Sequence, residues 1–274
     1  MTANILIFDS GVGGLSVLQE IQQQLPHAPL HYLMDNAAFP YGTKSDDYLV
    51  ERVLQVCAAA IEQLNPQLLV IACNTASTLA LNELRSRFTL PIVGVVPAIK
   101  VAAKESTNQH IGLIATLATV NRSYTQQLID DFAAGKTVHK FGSDVLVRLA
   151  ENYINLGTTP SLNELQQHLQ PWFDNTPKLS HIVLGCTHFP LLKPFLQQLW
   201  PEITWVDSGA AIARRVFQLL PDIPKTNRSS VSLYWTDEHC CPSGVVSYLQ
   251  QHYSLIKQGS LPLKNHHTLT KRLV

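Results

Sequence analysis

Charge of one sign is what this sequence lacks first. Twenty Lys and Arg residues balance twenty Asp and Glu, so no overall positive field exists to draw in nucleic acid or an anionic membrane. Charge of either sign is scarce, at 15% of residues against about 25% in typical soluble domains. With 46% hydrophobic residues, much of the chain is expected to be interior. A disulfide framework is missing as well. The five cysteines, Cys57, Cys73, Cys186, Cys240 and Cys241, form an odd set without framework spacing and read as free thiols of a reducing compartment. No apolar run is long enough to span a membrane. The start Met1-Thr-Ala-Asn4, followed by Ile5-Leu-Ile-Phe8, lacks the basic residues and length of a signal peptide. These absences predict a cytoplasmic protein whose partner is a small molecule, neither nucleic acid nor membrane. They leave the oligomeric state open, a homodimer included.

Two nucleotide signatures are also missing. The turn Asp9-Ser-Gly-Val-Gly-Gly14-Leu-Ser16 places serine where the third glycine of G-x-G-x-x-G belongs, and no Gly-Lys-Ser/Thr follows. A glycine turn opening a helix still offers backbone N–H groups to an anion, and a carboxylate suits it as well as a phosphate. Asp9 itself suits a helix cap. His239-Cys240-Cys241 invites a metal reading, but adjacent cysteines are poorly spaced for one tetrahedral site and no second ligand pair accompanies them.

What is present is alternation. Apolar runs at 5–8, 30–34, 68–72, 92–96, 111–115, 182–184 and 203–206 are separated by stretches of helical period, such as Leu15, Leu18, Ile21, Leu25 and Leu49, Val53, Val56, Ala60, Leu64. That pattern predicts an α/β fold with mainly parallel sheets, and at 274 residues two domains are a better expectation than one. Cys57 lies on the second of these helices, where it reads as a small buried hydrophobe. Internal repetition supports two similar halves. Leu69-Val-Ile-Ala-Cys73-Asn-Thr75 is echoed by Ile182-Val-Leu-Gly-Cys186-Thr-His188, and Phe8-Asp9-Ser10-Gly11 by Val206-Asp-Ser-Gly209.

A polar residue at a strand end just before a helix reaches the carboxyl edge of a parallel sheet, where open α/β folds bind ligands. Cys73 and Cys186 both have this placement. A helix starting near Thr75 would put Cys73 at a positive helix end and favour its thiolate; lowering a thiol pKa by about 1.5 units takes roughly 2 kcal/mol. Asp35-Asn-Ala-Ala-Phe-Pro-Tyr41-Gly42 follows another strand and reaches the same edge. His188 could bond a thiol or a substrate, although a lone histidine in a turn is more often surface. Glu151, among Leu146, Leu149 and Tyr153, suits a solvated helix face.

Together these residues resemble the cofactor-independent aspartate/glutamate racemase family, and within it the glutamate racemases that supply D-glutamate for peptidoglycan. The resemblance runs in order through Ile7-Phe-Asp-Ser-Gly-Val-Gly-Gly14, Asp35-Asn-Ala-Ala-Phe-Pro-Tyr-Gly42, Ala72-Cys-Asn-Thr-Ala-Ser77, Gly94-Val-Val-Pro97, Leu184-Gly-Cys-Thr-His-Phe-Pro190 and Val206-Asp-Ser-Gly209. It implies two similar doubly wound domains, 1–97 plus 207–274 and 98–206, with the active site in the cleft between them. It implies no cofactor and no metal, with Cys73 and Cys186 as acid/base thiols and Asp9, His188 and Glu151 assisting. Substrate contacts implied are Asp9, Ser10, Tyr41, Gly42, Asn74, Thr75, Thr187 and His188, with Thr116 and Thr119 nearby.

The residue types suit such chemistry by themselves. Inverting an α-carbon needs a base on each face, and two thiols supply them. No lysine occupies a strand-end motif to carry a pyridoxal Schiff base. Hydroxyls and amides with helix N-termini could hold the carboxylates without arginine. The thiol pair does not report side-chain length, so an aspartate racemase is an alternative. A thiol hydrolase using Cys186 and His188 would require residues two apart to meet squarely and would leave Cys73 idle. A two-lobed binding protein would not need paired thiols.

Overall fold

A computed structural model describes residues 4–220 and 230–263. In chain order the elements are β1 (Ile5–Asp9), α1 (Leu15–Gln24), β2 (Pro29–Met34), α2 (Asp46–Leu64), β3 (Leu68–Ile71), α3 (Asn74–Arg87), β4 (Ile92–Gly94), α4 (Ile99–Glu105), β5 (His110–Ala115), α5 (Leu117–Val120), α6 (Ser123–Phe132), β6 (Thr137–Gly142), α7 (Val145–Leu156), α8 (Leu162–Asp174), β7 (His181–Leu184), α9 (Lys193–Leu199), β8 (Thr204–Val206), α10 (Gly209–Leu219), β9 (Ser230–Trp235), α11 (Ser243–His252) and β10 (Ser254–Ser260). Short 3-10 turns cover Asn36–Ala38, Tyr41–Thr43 and Phe189–Leu192. Among the described residues no helix is long and apolar enough to cross a membrane.

The strands form two sheets, ordered β10-β9-β2-β1-β3-β4 and β6-β5-β7-β8, parallel at every pairing. Burial on both faces is why the strands read as unbroken apolar runs. Ile5 and Ile7 pack into one core and Leu6 and Phe8 into the core on the opposite face. Val183 is divided from Ile182 and Leu184 in the same way across the second sheet. Three strands lie outside the apolar runs of the sequence. β6 is an edge strand of intermediate and exposed residues, β9 is buried and adjoins β2, and β10 is the other sheet's edge, with a register shift between Leu255 and Lys257. Gln258 lies in β10, while His266 and His267 lie outside the described residues.

The two sheets share one winding. In each, the first strand is central, the second pairs on one side, and the chain crosses to put the third and fourth on the other, giving β2-β1-β3-β4 and β6-β5-β7-β8. Each sheet thus has a switch point between its first and third strands, where ligand crevices open at the carboxyl ends. Cys73 follows β3 and Cys186 follows β7, so the cysteine echo marks equivalent positions. The Asp-Ser-Gly echo does not. Asp9 ends a first strand whereas Asp207 follows a fourth, and what they share is local, an aspartate accepting from the N–H two residues on, at 2.9 Å for Gly11 and 3.0 Å for Gly209.

Candidate active site

A cavity of about 340 Å³ lies between the two sheet edges, lined by Cys73 with Ser10, Asn74 and Thr75 from the first and by Cys186 with Thr116, Thr119, Thr187 and His188 from the second. Tyr41, Gly42 and Glu151 also line it. It is at the small end of ligand pockets, which run from about 300 Å³ upward.

Cys73 sits at the N-cap of α3, near where the sequence places it, but the consequence expected there is reversed. Burial pushes its thiol up to about 12, reinforced by the charge of Asp9; the Ala76 N–H and the Ser10 hydroxyl, 3.7 Å from the sulfur, pull weakly the other way. Desolvation of an anion outweighs one helix end, so Cys73 is a thiol in the ligand-free protein.

Cys186 has different company. Its sulfur lies 3.5 Å from His188 Nδ1, so the two residues meet despite their separation of two. His188 is buried rather than on the surface, and its other nitrogen donates to Glu151 Oε1 at 2.7 Å. Burial opposes charge on the imidazole, but the bond and charge of Cys186, followed by those of Glu151, outweigh it and hold His188 protonated well above the usual imidazole range.

Glu151 is therefore not on a solvated helix face. Its Oε1 also accepts from Val12 N at 3.0 Å and its Oε2 from Asn155 at 2.8 Å. The anion received by the glycine turn is thus a carboxylate of the protein itself. Close approach explains the glycines: a Cβ on Gly11 would collide with Glu151 Oε1, and one on Gly13 would lie 2.5 Å from Thr187 Oγ1 and 2.6 Å from His188 Nδ1.

Asp9 does not cap α1, whose N-cap is Gly14. Its carboxylate is fully buried, accepting from Gly11 N, from Ser10 Oγ at 3.4 Å and from Thr187 Oγ1 at 3.0 Å. The last bond joins the two halves, as does Ser16 Oγ donating to the Thr187 carbonyl at 2.9 Å. Burial raises the Asp9 carboxyl, while the positive charge of His188 works against the rise.

Tyr41 presents its ring, since its hydroxyl donates to Asp35 Oδ2 at 2.7 Å. Asp35 is itself buried and held by Arg52 and by Thr236 of the loop after β9. Thr116 caps α5 and donates to Thr119 Oγ1 at 2.9 Å. Cys57 lies in the core beside α2, and Cys240 and Cys241 are exposed. Among the described residues no three His, Cys, Asp or Glu side chains are grouped to hold a metal.

The cleft also has a wall that sequence reasoning missed. Asp144, Val147, Arg148, Glu151 and Asn152 line it, spaced as one helical face. An arginine, Arg148, therefore also borders the cavity. The signal was the period itself, counted outward from Glu151.

A family model for Asp/Glu/hydantoin racemases matches residues 5–216. A glutamate racemase of Photorhabdus laumondii is 53% identical over 218 residues, covering 79% of this chain and 75% of that protein. The structure of an Escherichia coli glutamate racemase in complex with L-glutamate and the activator UDP-MurNAc-Ala aligns with a TM-score of 0.89 at 42% identity, over 97% of this chain and all of that one. An aspartate racemase homologue from Pyrococcus horikoshii shares the fold, with a TM-score of 0.54 and 16% identity over 81% of this chain and 100% of that one.

Proposed function

The chain belongs to the Asp/Glu/hydantoin racemase family, and on that premise we propose that it interconverts L-glutamate and D-glutamate by proton transfer between the α-carbon and two thiols, Cys73 and Cys186. The observation that carries this reading is their equivalence: each follows the third strand of its sheet, and both line one cavity. Glutamate is favoured over aspartate because the relatives of high identity are glutamate racemases, whereas the aspartate racemase homologue shares the fold alone. D-glutamate made this way would serve peptidoglycan and cell-wall synthesis. In the same reading the domains are 1–97 with 207–274 and 98–206, supported by Ile212, Ala213 and Val216 of α10 packing into the core of Leu15 and Leu18.

One sulfur, as thiolate, takes the α-proton from one face of the bound amino acid, forming S–H as C–H breaks. The thiol opposite gives its proton to the other face, and the roles reverse for the other enantiomer. Cys186 and His188 share a hydrogen bond through which a proton can pass, whereas Cys73 rests as a thiol in the ligand-free protein and donates in the direction for which Cys186 is the base. Ser10, Asn74, Thr75 and Thr187, with the N–H groups opening α3, are placed to receive the carboxylates. Asp9 and Glu151 act by holding Thr187 and His188.

Turnover in D₂O tests the two-thiol scheme. Early in the reaction from L-glutamate, D-glutamate should carry α-deuterium while remaining L-glutamate stays protiated, and Cys73→Ser or Cys186→Ser should remove racemisation. Label entering recovered L-glutamate as fast as product, or near-normal activity in either variant, refutes the scheme. Circular dichroism with L-glutamate and L-aspartate in turn settles the substrate.

A further inference from the structure

Beside the cleft an ion pair joins the two halves. Arg122 Nη2 lies 2.8 Å from Asp46 Oδ1. Asp46 opens α2, three residues beyond Thr43, which lines the cavity from the first half; Arg122 precedes α6, three residues beyond Thr119, which lines it from the second. Each charge is tied closely to its wall. The Thr119 carbonyl accepts from Arg122 N and, at 2.6 Å, from Thr125 Oγ1, while the turn Tyr41–Thr43 leads through Ser45, the N-cap of α2, to Asp46.

The pair is lopsided. The Asp46 side chain is 60% exposed, the Arg122 side chain only 13%, and Arg122 Nη1 is buried without a partner among the described residues. The guanidinium is largely removed from water, and among the described residues Asp46 is its one ion-pair partner.

We propose that Arg122 and Asp46 form a latch that favours the closed cleft, making them positioning residues for the reaction; this rests on reading the cavity as the racemase site. A buried charge deprived of its partner costs more than a pair replaced by apolar groups. Removing Asp46 strands the guanidinium in the closed state, whereas opening returns it to water. Removing Arg122 leaves only an exposed carboxylate. The two single changes therefore differ in effect although they delete the same contact.

The test is a double-mutant cycle with Asp46→Ala, Arg122→Met and both together. When binding requires a closed state, lowering its population raises KM in proportion. D46A should raise KM about tenfold with kcat within about twofold, R122M should change KM less than about threefold, and the double variant should match R122M. Small-angle scattering of the ligand-free proteins should show D46A expanded relative to wild type and the double variant no more expanded than R122M. An unchanged KM in D46A, or a D46A effect that persists in the R122M background, overturns the latch. If wild type racemises no glutamate, the reading of the site fails, and the scattering comparison alone then decides the latch, with equal dimensions overturning it.

Discussion

His188 and Glu151 are joined by a 2.7 Å bond between the loop after β7 and helix α7, and the same carboxylate oxygen accepts from Val12 in the glycine turn after β1. One atom thereby fixes the imidazole beside Cys186 to the glycine turn that follows the first strand of the opposite sheet. The bond also sets charge, because Glu151 adds to Cys186 in holding His188 protonated against burial.

Glu151→Gln keeps the shape of this contact and removes its charge. His188 should lose a proton at lower pH than in wild type, so the limb of the kcat profile governed by the imidazolium moves to lower pH. The fall in kcat at neutral pH should be on the order of 10²-fold. Stability follows the same sign. A raised histidine pKa contributes stability below about 6.5 that is lost as pH rises through the folded value, so wild-type melting temperature should decline more with rising pH than that of the variant. A kcat limb that does not move shows that Glu151 does not act through His188.

Gly13→Ala tests the close approach of the glycine turn. Its Cβ would press on Thr187 and His188, and a shift of about 1 Å at a reacting group costs about 10²-fold. A loss of that size in kcat is expected in a folded protein, checked by circular dichroism and steady-state kinetics. Gly259→Ala, whose Cβ would meet nothing within 4 Å, should be unaffected. Wild-type turnover in Gly13→Ala contradicts the packing account.

The cysteines were legible because each ends an apolar strand before hydroxyl or amide residues, a local pattern that parallel α/β topology converts into a position. The partners of Cys186 were less so. Val12 and Glu151 are 139 residues apart and meet only because α7 crosses to the first sheet, and no spacing along the chain encodes that. Arg148 was hidden by the same cause, since its helix face has meaning only once Glu151 is known to face the cleft. The Asp-Ser-Gly echo misled because a short turn is set by local hydrogen bonds, which recur wherever a strand ends in aspartate. β6 escaped notice because an edge strand keeps polar residues. β9, with Val231, Leu233, Tyr234 and Trp235 all buried, obeyed the apolar rule and was readable by it. The sign of the Cys73 pKa shift is not legible in the sequence, because the helix end is visible there and burial is not.

Asp9→Asn should make the protein more stable while removing most activity. Burial raises the Asp9 carboxyl, so folding favours its protonated form. That benefit is present below the ordinary carboxylate range, about 4, and is lost as pH rises through the folded value. Asparagine can keep acceptance from Gly11 and bond Thr187 without the charge, and Glu151 remains as partner to His188. Melting temperature at pH 7.5 should rise by a few degrees, with the gain shrinking as pH falls into the carboxylate range. A lower melting temperature at pH 7.5 contradicts this reading.

Thiol alkylation should rank the cysteines by burial. With its pKa at about 12, Cys73 is about one part in 10⁴ thiolate at pH 8, against roughly a quarter for an ordinary thiol. Since the thiolate is the nucleophile, ionisation alone should make Cys73 about 10³-fold slower than an unperturbed thiol. Cys57 is buried and its thiol is likewise pushed up. Iodoacetamide followed by peptide mass spectrometry should therefore find the exposed Cys240 and Cys241 modified first, with activity nearly intact at that stage. Changing both to serine should leave turnover within a few-fold. Because the charge of Asp9 helps to raise the Cys73 thiol, Asp9→Asn should speed the labelling of Cys73. Activity lost in step with Cys240 or Cys241, or Cys73 labelled before them in wild type, would place the reactive thiol elsewhere than this structure does.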